Sequence, residues 1–191
     1  MSGPQIRGAS YEAMLADVAK GNSAAFTELY NALAPRVHRF VVKSLKDVET
    51  ANDIVHEAYI EVWRKARSYR GECSALTWIL AIANNKVRDH LRRGQNKVIY
   101  TDEMPEIEDD RPMPFDHVRM DQYERLVHKV LPRLSLVHRQ VVDLAYFQNL
   151  SIAAIAQIMD CPLNTVKTRM FFARKQLKAL LAEEGLSGGT I

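Results

Sequence analysis

Residues 151–181 constrain this chain more than any other stretch. Ser151 is a good N-cap, and Ile152, Ile155, Ile158 and Met159 follow it at helical spacing as one buried stripe. Asp160, Cys161 and Pro162 stop that helix, and Asn164 is placed to cap a second one. In the second helix Val166, Met170, Ala173, Leu177, Leu180 and Leu181 recur every three or four residues and should face a core. Lys167, Phe171, Arg174 and Lys178 form a separate outer stripe, with Thr168, Arg169 and Lys175 beside it. Pro162 to Ala182 carries five Lys or Arg and no acid. A helix, a tight break and a basic second helix is the pattern of a helix-turn-helix, whose second helix enters a DNA major groove. An αα-hairpin with a solvated basic face would read the same way, so the rest of the chain must decide.

A length of 191 residues allows one large or two small domains. The net charge of +3 excludes little, but its distribution is uneven. Asn84 to Lys97 carries Lys86, Arg88, Arg92, Arg93 and Lys97 against Asp89 alone, whereas Asp47 to Glu61 carries five acids and no Lys or Arg. Two basic segments and an acidic face suit a protein that touches both nucleic acid and a basic protein surface. Cys73 and Cys161 lie far apart without a disulfide framework, and no Cys/His cluster has zinc spacing, so no metal or cofactor is expected. No apolar run approaches membrane-spanning length, and Met1 to Ser10 lacks a signal-peptide core. A reduced, cytoplasmic setting without membrane insertion is the expectation.

Apolar residues recur at helical spacing throughout residues 11–93. Met14, Leu15 and Val18 begin the series; Ser23 can cap a helix through Phe26, Leu29, Tyr30 and Leu33, which Pro35 should interrupt or restart; Val37, Phe40, Val41 and Leu45 continue it. The next helix turns Val55, Ala58, Tyr59, Val62, Trp63 and Ala66 inward, while Asp53, Glu57 and Glu61 share another face. After a break from Ser68 to Ser74, a last helix runs through Trp78, Ile82 and Val87 to Leu91. Residues 94–116 change character, with seven acids and three prolines, and read as a flexible linker. Met120, Tyr123, Val127, Val130 and Leu131 restore the helical period, and Val137, Val141, Leu144 and Ala145 give one more helix before the helix-turn-helix. The expected architecture is all-α: a flexible tail (1–10), a helical domain (11–93), an acidic linker (94–116), a helix-turn-helix domain (117–182) and a second tail (183–191). Such a tether leaves the domains free to wander relative to each other.

Two segments on opposite sides of the linker must be explained together. One is the run Tyr69-Arg-Gly-Glu, Thr77-Trp, Ile82-Ala-Asn-Asn and Asp89-His-Leu-Arg-Arg93; the other is Leu131-Pro-Arg-Leu, Arg139 to Phe147 and the helix-turn-helix. In this order they resemble the extracytoplasmic-function (group IV) sigma factors of bacterial RNA polymerase, over roughly residues 11–181. The resemblance implies a region 2-like helical bundle and a region 4-like helix-turn-helix. It implies that Asp53, His56, Glu57 and Glu61 meet the coiled coil of the polymerase β′ clamp, although a plain solvated face would look alike. It implies that Tyr69, Arg70, Glu72 and Ser74 line the loop that captures a flipped base of the −10 promoter element, a task needing an aromatic wall with polar edges. The other reading of Tyr69 is a packed loop aromatic, and Trp78 reads as core rather than as a stacking platform. Asn85 matches the asparagine on the −10 strand, or is a helix-surface amide; Lys86, Arg88, Arg92 and Arg93 are placed for phosphates. Lys167, Thr168, Arg169 and Phe171 match the positions that read the −35 element, with Arg174 and Lys178 further along the helix. Phe172 departs from the pattern, which often has a basic residue there; it packs inside or against the polymerase β flap. The partners implied are core RNA polymerase, promoter DNA and a cognate anti-sigma factor.

The function expected is therefore a promoter-specificity subunit, of a stress- or signal-responsive set of genes, with no catalysis. A stand-alone helix-turn-helix regulator is the alternative; it would require a ligand pocket or a dimerising helix in residues 11–93. An enzyme is a poorer fit: His56, Glu57 and Cys73 lack the spacing of a nucleophile, base and orienting group, and no Gly-rich phosphate loop is present.

Overall fold

Side-chain caps fix where the helices begin, because each start leaves backbone N–H groups without helical partners. The computed structural model describes residues 10–93, 127 and 129–184, and among them every regular element is helical. Ser10 Oγ accepts from Ala13 N and opens α1 (Tyr11–Ala19), and Asn22 Oδ1 accepts from Ala24 N and Ala25 N at the head of α2 (Ser23–Leu45). Asp47 accepts from Thr50 N before α3 (Val48–Lys65), and Ser74 accepts from Thr77 N at the start of α4 (Ala75–Arg93). In the second half Ser135 caps α5 (Leu136–Val142), which runs on as a π turn (Asp143–Phe147). Ser151 caps α6 (Ile152–Met159), and α7 (Leu163–Glu183) follows.

Three expectations need correction. Asn22, not Ser23, is the cap of α2. Asn164 lies inside the first turn of α7, whose cap position is Pro162, so its side chain is not the cap. Pro35 does not interrupt α2. The ring is exposed and removes only its own N–H bond, whereas the fully buried Leu29, Leu33, Val37, Phe40 and Val41 hold both sides of the rod against α1, α3 and α4. The inward stripes of α6 and α7 are as expected except at Ile152, which is only half-buried in the first turn; Ile155, Ile158, Met159, Val166, Met170, Ala173, Leu177, Leu180 and Leu181 are buried. The second half also reaches past the expected boundary at 182, since Glu183 bridges Arg133 (2.6 Å) and Glu184 bridges Lys129 (2.5 Å). The expected linker and all of residues 117–126 fall outside the described residues.

The two halves dock on each other rather than standing apart. Their buried apolar residues form one continuous cluster, and α6 lies along α4 while α5 lies along α2. Polar contacts cross the seam. Asn84 is 2% exposed; its Nδ2 donates to Ile158 O (3.0 Å), and its Oδ1 accepts from Gln140 Nε2 (3.0 Å). The Arg139 guanidinium donates to Ser44 O (2.9 Å), one of the last carbonyls of α2 that no helical N–H can reach. Lys43 sits between the Asp143 carboxylate (2.7 Å) and the Phe147 ring (3.4 Å to its centroid). Arg36 and Gln148 exchange three hydrogen bonds of 2.8–3.2 Å. Yet Arg139 Nε, Gln140 Oε1 and Asp143 Oδ2 are buried without a hydrogen-bond partner. Each such atom costs about 1–3 kcal/mol, so the apolar gain of docking is partly offset.

Phe40→Ala should lower the unfolding free energy by about 3–5 kcal/mol in a urea titration, because Phe40 is fully enclosed. A smaller, pH-dependent effect is expected at Glu12, whose carboxylate accepts from Ala75 N (3.0 Å) and ties α1 to the start of α4. That bond holds the carboxyl below its ordinary value. The contribution is therefore complete above the unfolded pKa, about 4.3, and is lost as pH falls through the lower folded value. Glu12→Ala should cost under about 1 kcal/mol at neutral pH, given its exposure, and nothing further in acid.

Candidate nucleic-acid interface

The outward face of α3 is the most clearly built surface. Asp53, His56 and Glu57 are exposed on it, and the next turns add Ile60 (51% exposed) and Trp63 (40%). These positions follow the i, i+3, i+4, i+7 spacing of one helix face. Trp63 thus corrects the sequence expectation of an inward side chain: its ring stands edge-on to Phe26 (5.3 Å between centroids), capping the Tyr30–Tyr59 aromatic cluster from outside. Ile60 was not singled out from sequence, although an apolar residue three positions after Glu57 on a charged face was the available signal. Glu61 is turned aside and half-buried, with Lys65 at 2.8 Å holding its carboxyl below the ordinary range. Glu57 lies 3.7 Å from Lys86 of α4, so the acidic ridge and the basic helix adjoin.

The 69–74 loop is braced from within. Gly71 takes a positive φ of 74°, which only glycine adopts without strain, and the chain folds back so that Tyr69 Oη donates to Cys73 O (2.5 Å). The Tyr69 ring packs on Trp78, 5.5 Å between centroids. Burial raises the proton affinity of both the Tyr69 phenol and the Cys73 thiol. Tyr69 is therefore a half-buried strut as well as a candidate wall, and the Ser74 hydroxyl is engaged as cap, also 2.8 Å from Thr77 Oγ1. Arg70 and Glu72 are exposed at the tip.

On α4, Asn85, Arg92 and Arg93 are exposed, while Lys86 and Arg88 are half-buried. Arg92 pairs with Asp89, and Arg88 reaches Asp160 of the second half at 3.8 Å. On α7 the expected outer stripe is only partly open: Lys178 is exposed, Lys167 and Phe171 are half-buried, and Arg174 donates to Tyr146 Oη (3.0 Å). Thr168 and Arg169, expected beside that stripe, are buried (4% and 7% exposed). The Arg169 guanidinium turns back across the helix-turn-helix break to Cys161 Sγ (3.4 Å), because its position adjoins the buried Met170 side of the helix. Phe172 packs edge-on to Phe171, 5.3 Å between centroids.

The chain matches the Sigma-70 region 2 family over residues 29–97 and the Sigma-70 region 4 family over residues 124–177. It is 30% identical to the RNA polymerase sigma-H factor of Pseudomonas aeruginosa, across 87% of this chain and 93% of that one. It is also 30% identical to the ECF RNA polymerase sigma factor SigK of Mycobacterium bovis, across 95% and 98%. This chain belongs to the extracytoplasmic-function sigma-factor family. Sigma factors are promoter-specificity subunits of RNA polymerase and not enzymes, and that is the class of this protein. Its fold is that of CnrH, solved in complex with the cytosolic domain of CnrY (TM-score 0.66, 20% identity, 91% of this chain and 97% of that one). It is also that of the sigma factor RpoE of Bartonella quintana, solved in complex with the anti-sigma factor NepR (TM-score 0.62, 24% identity, 82% and 96%). Among the described residues of this sigma factor no His, Cys, Asp and Glu side chains group to hold a metal ion, and no helix is long and apolar enough to cross a membrane.

Tyr69→Phe keeps the ring on Trp78 but removes the donor to Cys73 O, and should cost about 1 kcal/mol in unfolding free energy. Tyr69→Ala should cost about 2–3 kcal/mol by also losing the ring contact, measured in the same titration.

Proposed function

We propose that this sigma factor uses residues 11–93 to dock on core RNA polymerase and hold the melted −10 strand, and residues 117–182 to place α7 on the −35 element and to meet the β flap. The observation that carries this reading is the α3 face. Asp53, His56, Glu57, Ile60 and Trp63 combine carboxylates for a basic partner with exposed apolar area, on a helix directly beside basic α4. A basic coiled coil such as the β′ clamp fits such a face. Arg70, Glu72, Asn85, Lys86, Arg88, Arg92 and Arg93, with Tyr69 and Ser74 shaping the loop, then form the −10 surface. On α7, Lys167, Phe171, Arg174 and Lys178 serve the −35 element, while Thr168 and Arg169 reach it only if their side chains turn out from where they are buried.

An anti-sigma partner and control of a stress- or signal-responsive set of genes complete the proposal. The solved complexes of CnrH and RpoE with other proteins support it. The site of action is the cytoplasm, where the polymerase works.

Glu57→Lys should weaken binding to core polymerase by at least about tenfold in a pull-down titration, since it sets a like charge against a basic partner, while circular dichroism stays unchanged. Lys178→Ala should weaken promoter binding by the holoenzyme on any −35 sequence, reducing the salt slope by about one. Sequence-specific duplex binding by the chain alone, indifferent to Glu57→Lys, would instead favour the stand-alone regulator.

A further inference from the structure

The first turn of α7 is the open end of the helix-turn-helix. Leu163 is 50% exposed, one of four large apolar side chains left in solvent among the described residues, and Asn164 beside it is exposed as well. Further along the helix the surface closes: Thr168 and Arg169 are buried, and Lys167 and Phe171 are half-buried. A recognition helix enters the major groove with its N-terminal residues toward base edges. In this chain the side chains best presented to those edges are therefore Leu163 and Asn164, with Lys167 one turn behind them.

The start of α7 is also held firmly in place. Asp160 takes the left-handed conformation (φ 51°), and the N–H of Cys161 donates to Ala156 O (3.1 Å), so the chain leaves α6 by a fixed turn. Pro162 occupies the cap position, with no side-chain cap bond, and its carbonyl accepts from Val166 N (3.2 Å). The Arg169 guanidinium reaches back to Cys161 Sγ (3.4 Å) and ties the second turn of the helix to that break. Val166 and Met170, both buried, fasten the inner side. A first turn positioned in this way meets DNA with little ordering left to oppose binding.

Chemistry then decides which bases fit. A carboxamide carries a donor and an acceptor side by side, matching the N6 amino group and N7 of adenine in the major groove. A leucine side chain carries neither, and its partner among the base edges is the 5-methyl group of thymine. Consecutive helical residues point about 100° apart, so the two reach neighbouring base pairs rather than the same one. We propose that Asn164 selects an adenine in the −35 element and that Leu163 packs on the thymine methyl of the adjoining pair, so that the first turn of α7 reads a step of two A·T pairs. This rests on the placement of α7 on the −35 element proposed above and adds the bases it chooses.

The test assembles holoenzyme from core polymerase and the full chain, and recovers bound fragments from a promoter pool randomised across the −35 region. Sequencing of the wild-type fraction should show one position at which adenine exceeds the other bases by about tenfold. Asn164→Ala should level that position and leave the others unchanged. Asn164→Asp, whose carboxylate only accepts, should move the preference there to cytosine, which presents its N4 amino group. Alanine and aspartate both suit the first turn of a helix, and unchanged circular dichroism verifies the fold. For Leu163, deoxyuridine in place of the adjoining thymine removes only the methyl group. It should weaken wild-type binding about threefold and leave the binding of Leu163→Ala unchanged; an equal loss in both would remove Leu163 from the contact. Two Asn164 variants that select the same −35 bases as wild type would overturn the proposal while α7 still reads the element. Levelling in both variants without a gain of cytosine would overturn the adenine contact, the preference then belonging to DNA shape. A holoenzyme that retains fragments through the −10 element yet selects no base in the −35 region, wild type and variants alike, would overturn the placement of α7 and the proposal with it.

Discussion

The carboxamide of Asn84 joins the two halves of this sigma factor, and much of the remaining arrangement follows from where it stands. Ala75, Leu76, Ile79, Leu80, Ala83 and Val87 commit one face of α4 to the first-half core. Asn84 lies at the edge of that face, where a donor and an acceptor are both used by the second half. An aliphatic residue there would make docking purely apolar, and a charged one would be stranded without a counter-ion. An amide satisfies the closed seam and is equally at home in water. The same position fixes how α6 lies along α4, and so which faces of α4 and of the helix-turn-helix stay open.

Ionic contacts around the candidate surfaces share a second property: they are weak enough to exchange. Glu57 with Lys86 and Arg88 with Asp160 are separated by 3.7 and 3.8 Å, and in each pair the carboxylate is exposed to solvent while the cation is half-buried. Pairs of this kind contribute about 0–1 kcal/mol. They keep opposite charges arranged beside one another without holding either against a stronger partner. Lys43 and Asp143 differ, since the carboxylate is 1% exposed and the ammonium is enclosed by it and the Phe147 ring. Here separation would cost more, unless water reaches both groups at once.

Much of the fold was legible because helices write themselves in period and caps. The inward stripes of α6 and α7, the Ser151 cap and the break at Asp160, which takes a left-handed φ of 51°, all follow from residue type and spacing. Pro35 misled because a proline's local penalty says nothing of the tertiary contacts on either side. Trp63 misled because an aromatic on a helix is ordinarily core, and only the three-dimensional position of Phe26 places it outside. The acidic α3 face and basic α4 were visible as charge runs. The burial of Arg169 and Thr168 was not, nor was the docking of the halves: Asn84, Gln140 and Asp143 are polar residues, and in one dimension a polar residue at a seam is indistinguishable from one in solvent.

The π turn at Asp143–Phe147 separates two properties that are usually entangled. A π turn carries one residue more than the α-helix it interrupts, so it advances everything after it by about 100° around the axis. That advance lies between the groups facing Ser44 and the Gln148 that faces Arg36. Loss of a single residue here would leave an ordinary helix while swinging Gln148 away from α2. The grip between the halves is thereby sensitive to a one-residue change in length, in a segment that holds none of the residues proposed to touch DNA or polymerase.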